Sequence, residues 1–428
     1  MVRFGFSFVL AAAAALLAGV VSAAPASELV QGQGAAAWPN GPLRTDGRWM
    51  KDASGNTVTY AGANWPGHGE IMIPEGLQYQ SIKYIVTKLK SVGFNAIRLT
   101  YAIQMIDEIY DNGGVDIPLD KAFVQGLGQA NGTRLLAQFL SKNPQFTAKS
   151  TRLQVFDAVA AELAKQQMYV HLDNHISTGK WCCGSSDDNA FWGDLAFHPG
   201  NWTRGLAYMA AHGKAWPALM SSALRNEPRE PSSGPAKANY NWETLYKYAK
   251  QGAAAINKAN PNLLIFISGL NYDTFVTPIV RGQALSPGQT RFARSDFAGF
   301  ENKLVLEIHN YDNNQGSCSA LRNNLYNNGF EAHSDSAVNK FPVLLTEYGF
   351  AMDATTWQRV YATCIAQFTA DNKAGFFIWV IVGSYYTRSG TQDFDEAWGV
   401  LNHDWSDWRN PSYVQNQLIP QIRGTLSQ

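Results

Sequence analysis

Short apolar runs recur along the chain and alternate with segments of helical periodicity. The runs are nearly continuous in Val, Ile, Leu and Phe, which is typical of strands that are covered on both faces. Eight runs are present: Val58–Ala63, Ala96–Leu99, Tyr169–Leu172, Leu219–Leu224, Leu263–Ser268, Leu304–Ile308, Val343–Thr346 and Phe376–Val380. Helical patterns such as Tyr79–Val92 and Thr151–Gln167 lie between them.

Eight strand–helix alternations, spaced by about 45 residues, predict an α/β fold, a (β/α)8 TIM barrel in a single domain. A doubly wound open sheet is the alternative. No G-x-G-x-x-G follows the first run, which weakens the nucleotide-binding form of that alternative. The gap from the second run to the third is the longest, from Tyr101 to about Ser150, and we expect a functional loop there.

The first residues have the pattern of a secretory signal peptide. Arg3 supplies a positive charge, Phe8 to Val21 is apolar, and Val21-Ser22-Ala23 is a small-residue cleavage pattern. The apolar run is shorter than the ~20 residues of a spanning helix, so a membrane anchor is the weaker alternative. We therefore expect residues 1–23 to be removed, residues 24–428 to form the working domain, and the protein to be secreted.

The cysteines and two sequons fit an extracellular protein. Four cysteines without zinc-type spacing suggest disulfides. Cys318–Cys364 is the preferred pair, and Cys182 and Cys183 either bridge each other or stay free. Asn131-Gly132-Thr133 and Asn201-Trp202-Thr203 are glycosylation sequons.

Composition narrows the classes of partner. The formal net charge is zero, with 34 basic and 34 acidic residues. The protein therefore has no net positive charge that would attract nucleic acid or an anionic membrane. Aromatic residues make up 12% of the chain, enough to exclude disorder and to suit sugar binding. We expect no cofactor, no nucleic-acid or membrane partner, and a monomer.

Polar side chains follow several of the predicted strands. In a barrel the carboxyl ends of the strands build the active site. Glu227 and Glu347 each come directly after an apolar run, and they are 120 residues apart, which places them at the fourth and seventh strands. These strands lie nearly opposite each other, so the two carboxylates face across the barrel mouth and can divide acid and base work. The alternative is a structural ion pair with Arg98.

The order of these motifs resembles glycoside hydrolase family 5, the cellulase-like retaining barrels. The resemblance is carried mainly by Asn226-Glu227-Pro228, by Thr346-Glu347-Tyr348-Gly349, by Arg98, and by His309-Asn310-Tyr311. Smaller matches occur from Val58 to Trp65, from Gly269 to Asp273, and in the tail from Trp398 to Pro411. The resemblance extends over most of residues 57–411.

The resemblance implies a retaining glycosidase with carboxyl groups about 5–5.5 Å apart. It also implies a role for each matching residue. Glu227 would be the general acid/base and Glu347 the nucleophile, with Tyr311 and Arg98 bonded to the carboxylate of Glu347. Asn226 would bond the sugar 2-hydroxyl, and Trp379 would stack on the sugar at the cleavage point. His175 and His309 would complete the ring of polar side chains around the site.

The substrate is expected to be a β-linked polysaccharide or oligosaccharide, with internal cleavage of β-1,4-glucan as the first choice. β-1,3- and β-1,6-glucans, mannan and galactan are the alternatives with the same mechanism. We expect the loops to decide among them, with the long gap and the segment 180–202 as the main contributors. Trp65, His68, Trp181 and Trp192 are candidates to line subsites.

Two other kinds of protein compete with this interpretation. His171, Asp173 and His175 alternate along one strand and could bind a metal with His309 and Glu227, although a polar layer inside the barrel explains them too. A non-catalytic sugar-binding barrel is the other competitor. Both carboxylates and their helper residues are present, which argues against it.

Overall fold

The computed structural model describes residues 38–427, and the structural statements below refer to that part of the chain. The predicted signal peptide, residues 1–23, lies outside the described residues. The strands are β1 (Arg44–Asp46), β2 (Trp49–Lys51), β3 (Thr57–Val58), β4 (Ala61–Trp65), β5 (Ala96–Ala102), β6 (Tyr169–Ile176), β7 (Leu219–Ala223), β8 (Leu264–Ile267), β9 (Leu304–Asn310), β10 (Val343–Tyr348), β11 (Phe376–Ile378), β12 (Ser384–Arg388) and β13 (Thr391–Asp395).

Helices follow most of these strands. They are α1 (Ile82–Ser91), α2 (Ile103–Asp111), α3 (Leu119–Leu127), α4 (Gln129–Lys142), α5 (Arg152–Lys165), α6 (Pro199–His212), α7 (Pro235–Ala238), α8 (Trp242–Ala259), α9 (Leu270–Asp273), α10 (Thr277–Val280), α11 (Cys318–Asn328), α12 (Val360–Asn372), α13 (Pro411–Tyr413) and α14 (Ile419–Leu426).

Strands β4 to β11 close a parallel barrel in chain order, because β11 pairs with β4. This confirms the predicted (β/α)8 fold. Each of the eight predicted apolar runs overlaps one barrel strand. The first run, Val58–Ala63, is divided in the structure: Val58 pairs with Met50 in the antiparallel sheet of β1 to β3, whereas the barrel strand begins at Ala61.

Large side chains fill the barrel interior near the amino ends of the strands. Tyr60, Phe266 and Phe377 are fully buried in one cluster there. His171 belongs to this layer: its ring packs on Phe266, and its Nδ1 lies 2.9 Å from the hydroxyl of Ser221. Apart from His171 and Ser221 in this layer, buried charged residues such as Arg98, Asp173 and Glu347 lie further along the strands, towards their carboxyl ends.

The long gap after β5 is helical rather than a loop. The prediction of a loop over Tyr101–Ser150 is wrong, because this segment holds α2, α3 and α4. Their apolar residues recur with helical spacing and are buried, for example Ile103, Ile106 and Ile109 in α2. Glycines and a proline between the three helices give the segment the composition of a loop.

The preferred disulfide, Cys318–Cys364, is present and joins the start of α11 to α12. Its cysteines are 46 residues apart, so the bond restricts a long loop of the unfolded chain. We expect Cys318→Ala/Cys364→Ala to lower the free energy of unfolding by about 2–4 kcal/mol. Urea unfolding at fixed pH measures this change, and an unchanged midpoint and slope would contradict it.

The two sequons lie on helices. Asn131 is in α4 and Asn201 is in α6, and both are half-buried. The Nδ2 of Asn201 donates to Asp107 over 3.0 Å. Glycosylation of either residue stays a prediction. None of the helices within residues 38–427 has both the length and the apolar character required to cross a membrane.

Candidate active site

A cleft opens at the carboxyl ends of the barrel strands and contains both predicted catalytic carboxylates. Its cavity volume is about 430 Å³. Aromatic, charged and disulfide-bonded residues together form its surface. The lining residues are His175, Trp181, Cys182, Cys183, Glu227, Tyr272, Thr274, Tyr311, Glu347, Trp379, Arg388, Glu396 and Trp398.

Glu227 occupies a left-handed backbone conformation just after β7. Its φ is +47°, which costs a non-glycine residue free energy unless its surroundings stabilise it. The backbone N–H of Glu227 donates to Oδ2 of the fully buried Asp273 over 2.8 Å. The following residue, Pro228, is held by a second hydrogen bond, because the N–H of Tyr272 donates to its carbonyl over 3.1 Å. These contacts aim the Glu227 side chain into the cleft.

The Glu227 carboxyl has a neutral partner. Nδ1 of His309 lies 2.9 Å from Oε1 of Glu227. Burial lowers the pKa of His309, although the carboxylate of Glu347 acts in the opposite direction. The ring therefore carries no charge near neutral pH. Burial raises the pKa of Glu227 to about 7, against the weaker opposing effects of Arg229 and Arg98. A carboxyl group in this range can both give and take a proton at neutral pH.

The Glu347 carboxylate has strong donors on both oxygens. Nη1 of Arg98 donates to Oε1 over 2.6 Å, and the hydroxyl of Tyr311 donates to Oε2 over 2.7 Å. Burial raises the pKa of Glu347, while His309, Arg98 and the Tyr311 hydroxyl act in the opposite direction. Direct contact with a guanidinium favours the charged form, so Glu347 has the partners of a nucleophile and Glu227 those of an acid.

Arg98 connects several strand ends beneath the cleft. It is completely buried in β5, and it contacts residues from four other strand ends. Besides Glu347, it donates to Oδ1 of Asn64 and of Asn226, each over 2.8 Å, and pairs with Asp173 at 3.0 Å. Burial alone would lower the pKa of Arg98, but the carboxylates of Asp173 and Glu347 raise it instead. Its charge is therefore permanent.

The structure brings the two carboxylates together, as the strand spacing predicts. One oxygen of Glu227, one of Glu347 and a ring nitrogen of His309 all lie within 4.8 Å of one another. Nδ1 of His309 is 3.7 Å from Oε2 of Glu347. Retaining glycosidases have carboxyl groups about 5–5.5 Å apart, whereas inverting ones need about 6.5–9.5 Å to admit a water molecule. The short separation favours the retaining arrangement.

The remaining predicted site residues surround this pair. Nδ1 of His175 lies 2.6 Å from Asp173, and the His175 ring stacks on Trp379 with centroids 5.3 Å apart. Burial lowers the pKa of His175 well below its usual value, so the stacked ring is neutral. Asn226 is also here, but it is fully buried, and its Nδ2 faces the sulfurs of Cys182 and Cys183.

Comparison with known families supports the interpretation that this geometry suggests. The family model described as Cellulase (glycosyl hydrolase family 5) matches residues 51–384, more than half of the chain. The chain belongs to glycosyl hydrolase family 5. The resemblance read from the motifs is confirmed, and with it the prediction that the protein is a glycoside hydrolase.

Curated relatives of this family 5 chain include plant and bacterial proteins. A glycosyl hydrolase 5 family protein of Chamaecyparis obtusa is 32% identical over 388 residues, covering 87% of this chain and 65% of the relative. The chain thus spans just under two thirds of that relative's length. The major extracellular endoglucanase of Xanthomonas campestris pv. campestris is 25% identical over 394 residues, covering 88% of this chain and 70% of the relative.

Solved structures share the fold. An endocellulase of Pyrococcus horikoshii, in a complex structure with cellotetraose, aligns with a TM-score of 0.64. The alignment covers 90% of this chain and 98% of that chain at 18% sequence identity. The likeness shows that the two proteins share the barrel fold.

Some predicted contributors to the family 5 cleft lie elsewhere. Trp192 packs among Trp202, Phe197 and Tyr248 and is nearly buried, and Trp65 is fully buried with its indole N–H donating to the carbonyl of Glu75. His68 stacks on His175 beneath the surface, with centroids 3.9 Å apart. Of the four aromatic candidates, Trp181 reaches the cleft. Within the described residues, the segment 101–150 contributes no residue to its lining.

Five residues that line the cleft or support Glu227 were not among the predicted site residues. Asp273 and Tyr272 belong to the motif after the fifth apolar run, and Trp398 begins the tail motif. Both motifs served only as signs of resemblance. Arg388 and Glu396 form an ion pair at one end of the cleft, and Arg388 also lies over the Trp181 ring with its Cζ 3.6 Å from the centroid. Trp398 lines the cleft beside Tyr311. No local periodicity marks these positions, because long-range contacts bring them together.

The donor set at the family 5 centre fits proton transfer better than metal binding. The cluster of Glu227, His309 and Glu347 offers three possible ligand atoms. However, the positively charged guanidinium of Arg98 contacts Glu347 and would repel a cation bound there. His175, Cys182 and Cys183 form a second trio, whose sulfurs are joined in a disulfide and hold no thiolate. In the alternative with His171, Asp173 and His175, the carboxylate of Asp173 already pairs with Arg98 and lies 2.6 Å from Nδ1 of His175. Nδ1 of His171 lies 2.9 Å from the hydroxyl of Ser221.

Proposed function

We propose that this glycoside hydrolase cleaves β-1,4-linked glucan internally and retains the configuration at the anomeric carbon. The observation that carries the proposal is the pair of carboxyl groups within 4.8 Å, one with a pKa of about 7 and the other bound by a guanidinium. This arrangement supplies a proton donor and a nucleophile to the same glycosidic bond.

The first step forms a covalent intermediate. A carboxylate oxygen of Glu347 attacks the anomeric carbon while the glycosidic C–O bond breaks. Glu227 gives its proton to the departing sugar oxygen, so the leaving group departs as a neutral alcohol. As the Glu347 carboxylate becomes an ester, its negative charge disappears, and the Tyr311 hydroxyl, 2.7 Å from Oε2, is free to turn towards the sugar ring.

The second step releases the sugar. Glu227, now ionised, takes a proton from a water molecule that attacks the same carbon, and the ester bond to Glu347 breaks. Two displacements restore the original configuration and both side chains. Arg98 stabilises the carboxylate that leaves, and Trp379, fixed on His175, provides an aromatic face for the sugar ring.

Cleavage inside a chain is supported by a second cavity that continues the catalytic cleft. A second cavity of about 600 Å³ is lined by Tyr240, Trp242, Asn271 and Tyr272 among others. Tyr272 lines both cavities, so they adjoin on the side of Glu227, where the leaving group lies. The names of the Xanthomonas endoglucanase and the Pyrococcus endocellulase support the same action and a glucan substrate.

The deciding experiment is hydrolysis of a panel of soluble polysaccharides, with reducing ends and product lengths as the readout. A ladder of oligosaccharides from a β-1,4-glucan is expected. Release only from β-1,3- or β-1,6-glucan, mannan or galactan would keep the mechanism and replace the substrate. No release from any polymer would contradict the proposed polysaccharide substrate.

We infer that the protein acts outside the cell after removal of residues 1–23, as one catalytic domain over residues 24–428 and as a monomer. The name of the Xanthomonas relative and the disulfides support the extracellular location. Mass spectrometry of the secreted protein tests this inference: a mature amino terminus at Ala24 is expected, and retention of residues 1–23 would contradict it.

The pH dependence of activity follows from Glu227. The first step needs a protonated acid, and the pKa of Glu227 is about 7, so kcat/KM should fall about tenfold per pH unit above pH 7. A pH profile on a soluble glucan measures this fall. An aryl glycoside with a good leaving group needs less protonation, so its kcat/KM should fall less steeply. Equal slopes for both substrates would contradict the assignment of the acid.

A further inference from the structure

The bond between Cys182 and Cys183 lies in the cleft, next to the catalytic pair, and the mechanism above does not use it. Both cysteines line the cavity that contains Glu227 and Glu347. Their sulfurs and a ring nitrogen of His175 lie within 4.8 Å of one another. Cys183 is partly exposed, whereas His175 and Asn226 behind it are buried. The disulfide therefore forms the cleft surface at this point.

The sulfurs also cover a polar group. Nδ2 of Asn226 lies 3.6 Å from Sγ of Cys183 and 3.9 Å from Sγ of Cys182. Its nearest nitrogen acceptor is Nε2 of His175 at 3.5 Å. Sulfur is a weak acceptor, so the disulfide shields this amide without binding it strongly. The surface offered to the cleft is apolar and polarisable rather than amide-like.

The backbone that carries the disulfide is fixed relative to Glu227. The buried Arg229 donates from Nε to the carbonyl of Gly184 over 2.7 Å and from Nη2 to Asp187 over 2.6 Å. Its Nη1 donates to the carbonyl of Glu227 over 3.1 Å. One guanidinium thus sets the distance between the disulfide segment and the acid/base residue.

Aromatic rings flank the disulfide and complete an apolar surface. Trp181 precedes Cys182, and its ring meets that of Trp379 edge-to-face at 6.2 Å. Hexose rings in a β-1,4-glucan present apolar C–H edges and faces, which pack on such surfaces while the hydroxyl groups bond elsewhere.

We propose that the Cys182–Cys183 disulfide is a sugar-contact surface, against which the C–H edge of the hexose beside the catalytic carboxylates packs. This inference rests on the proposed function, because it needs a sugar in the cleft. The disulfide acts in binding and not in proton transfer, so its loss weakens affinity more than it slows the bond-breaking steps.

Ligand protection tests the contact without altering either cysteine. The Glu347→Gln protein is mixed with cellotetraose, and calorimetry first establishes binding. A phosphine then supplies two electrons to each disulfide, new thiols are alkylated, and mass spectrometry follows each cysteine pair. We expect saturating cellotetraose to slow reduction of Cys182–Cys183 at least fivefold and to leave the rate for Cys318–Cys364 unchanged.

Substitution gives an independent readout with a matched control. Cys182→Ala/Cys183→Ala should raise KM for a soluble β-1,4-glucan about tenfold, the order of effect of one lost apolar contact, and keep kcat within about threefold. Cys318→Ala/Cys364→Ala removes the other disulfide and should leave KM unchanged below its unfolding temperature.

The outcomes separate the two proposals. Cellotetraose that binds without protecting Cys182–Cys183, or a folded double variant with unchanged KM, overturns the sugar-contact surface and leaves the proposed function standing. No binding of cellotetraose together with no release from a β-1,4-glucan overturns the proposed substrate and this inference with it. If the double variant does not fold, the protection experiment on the intact disulfide decides.

Discussion

Glu347→Gln will reduce kcat on a soluble β-1,4-glucan by about 10⁴-fold or more, because the covalent step loses its nucleophile. The amide has nearly the shape of the carboxylate: its oxygen can still accept from Arg98, and its NH2 group can donate to the hydroxyl oxygen of Tyr311, so the cleft should keep its form. Hydrolysis measured over long incubations gives the residual rate, and circular dichroism with thermal unfolding verifies the fold.

Glu75→Gln is a matched control. Glu75 is also nearly buried, accepts the backbone N–H of Tyr386 over 2.7 Å, and is absent from the cleft lining. Burial raises the pKa of Glu75 well above its usual value, so glutamine imitates its protonated form. We expect kcat to stay within about threefold for this variant. A Glu347→Gln protein that is folded and has activity within tenfold of the wild type would show that another residue is the nucleophile.

Glu227→Ala will lose about 10³-fold in kcat on glucan but far less on an aryl glycoside with a good leaving group. The aryl leaving group departs without a proton. A sugar oxygen must be protonated first, because its alkoxide is a poor leaving group. The second step then lacks a base and becomes slow, so the glycosyl ester on Glu347 accumulates. Azide needs no deprotonation and fits the space left by the side chain, so it should accelerate this step.

The configuration of the azide product adds a second criterion. Attack on a covalent intermediate gives a β-glycosyl azide from a β-glycoside, and nuclear magnetic resonance identifies it. An α-azide would indicate direct displacement and contradict the nucleophile. Equal losses on glucan and on the aryl glycoside, without azide rescue, would remove Glu227 from the acid/base role. Glu162→Ala provides the control, because this residue of α5 is absent from the lining of both cavities.

The barrel could be predicted because its strands are buried on both faces. Such strands are continuous apolar runs, so a residue such as Glu227 or Glu347 stands out where the run ends. The closed barrel then places these ends in one ring, and the relation between the two carboxylates follows from strand order alone. The same logic placed Arg98, His175 and His309 at the site.

Other parts of the site depend on contacts that have no sequence period. Asp273 matters because its carboxylate accepts the backbone N–H of Glu227, a contact across 46 positions. Arg388 and Glu396 reach the cleft from the hairpin β12–β13 and the residue that follows it, beyond the last barrel strand. The prediction of a loop after β5 is wrong for a different reason, because short helices separated by glycines have the composition of a loop.

The Arg98 network has a consequence for how such a protein can change during evolution. Its members come from strand ends that the barrel holds in place, whereas Trp181, the disulfide and Arg388 belong to segments outside the barrel strands. Reaction chemistry and sugar preference are thus encoded in separate stretches of the gene. Under the proposed function, exchange of the β12–β13 hairpin alters which polymer is accepted while the inherited bond-breaking centre stays intact. An exchange within residues 180–189 must in addition keep the partners that Gly184 and Asp187 provide for Arg229.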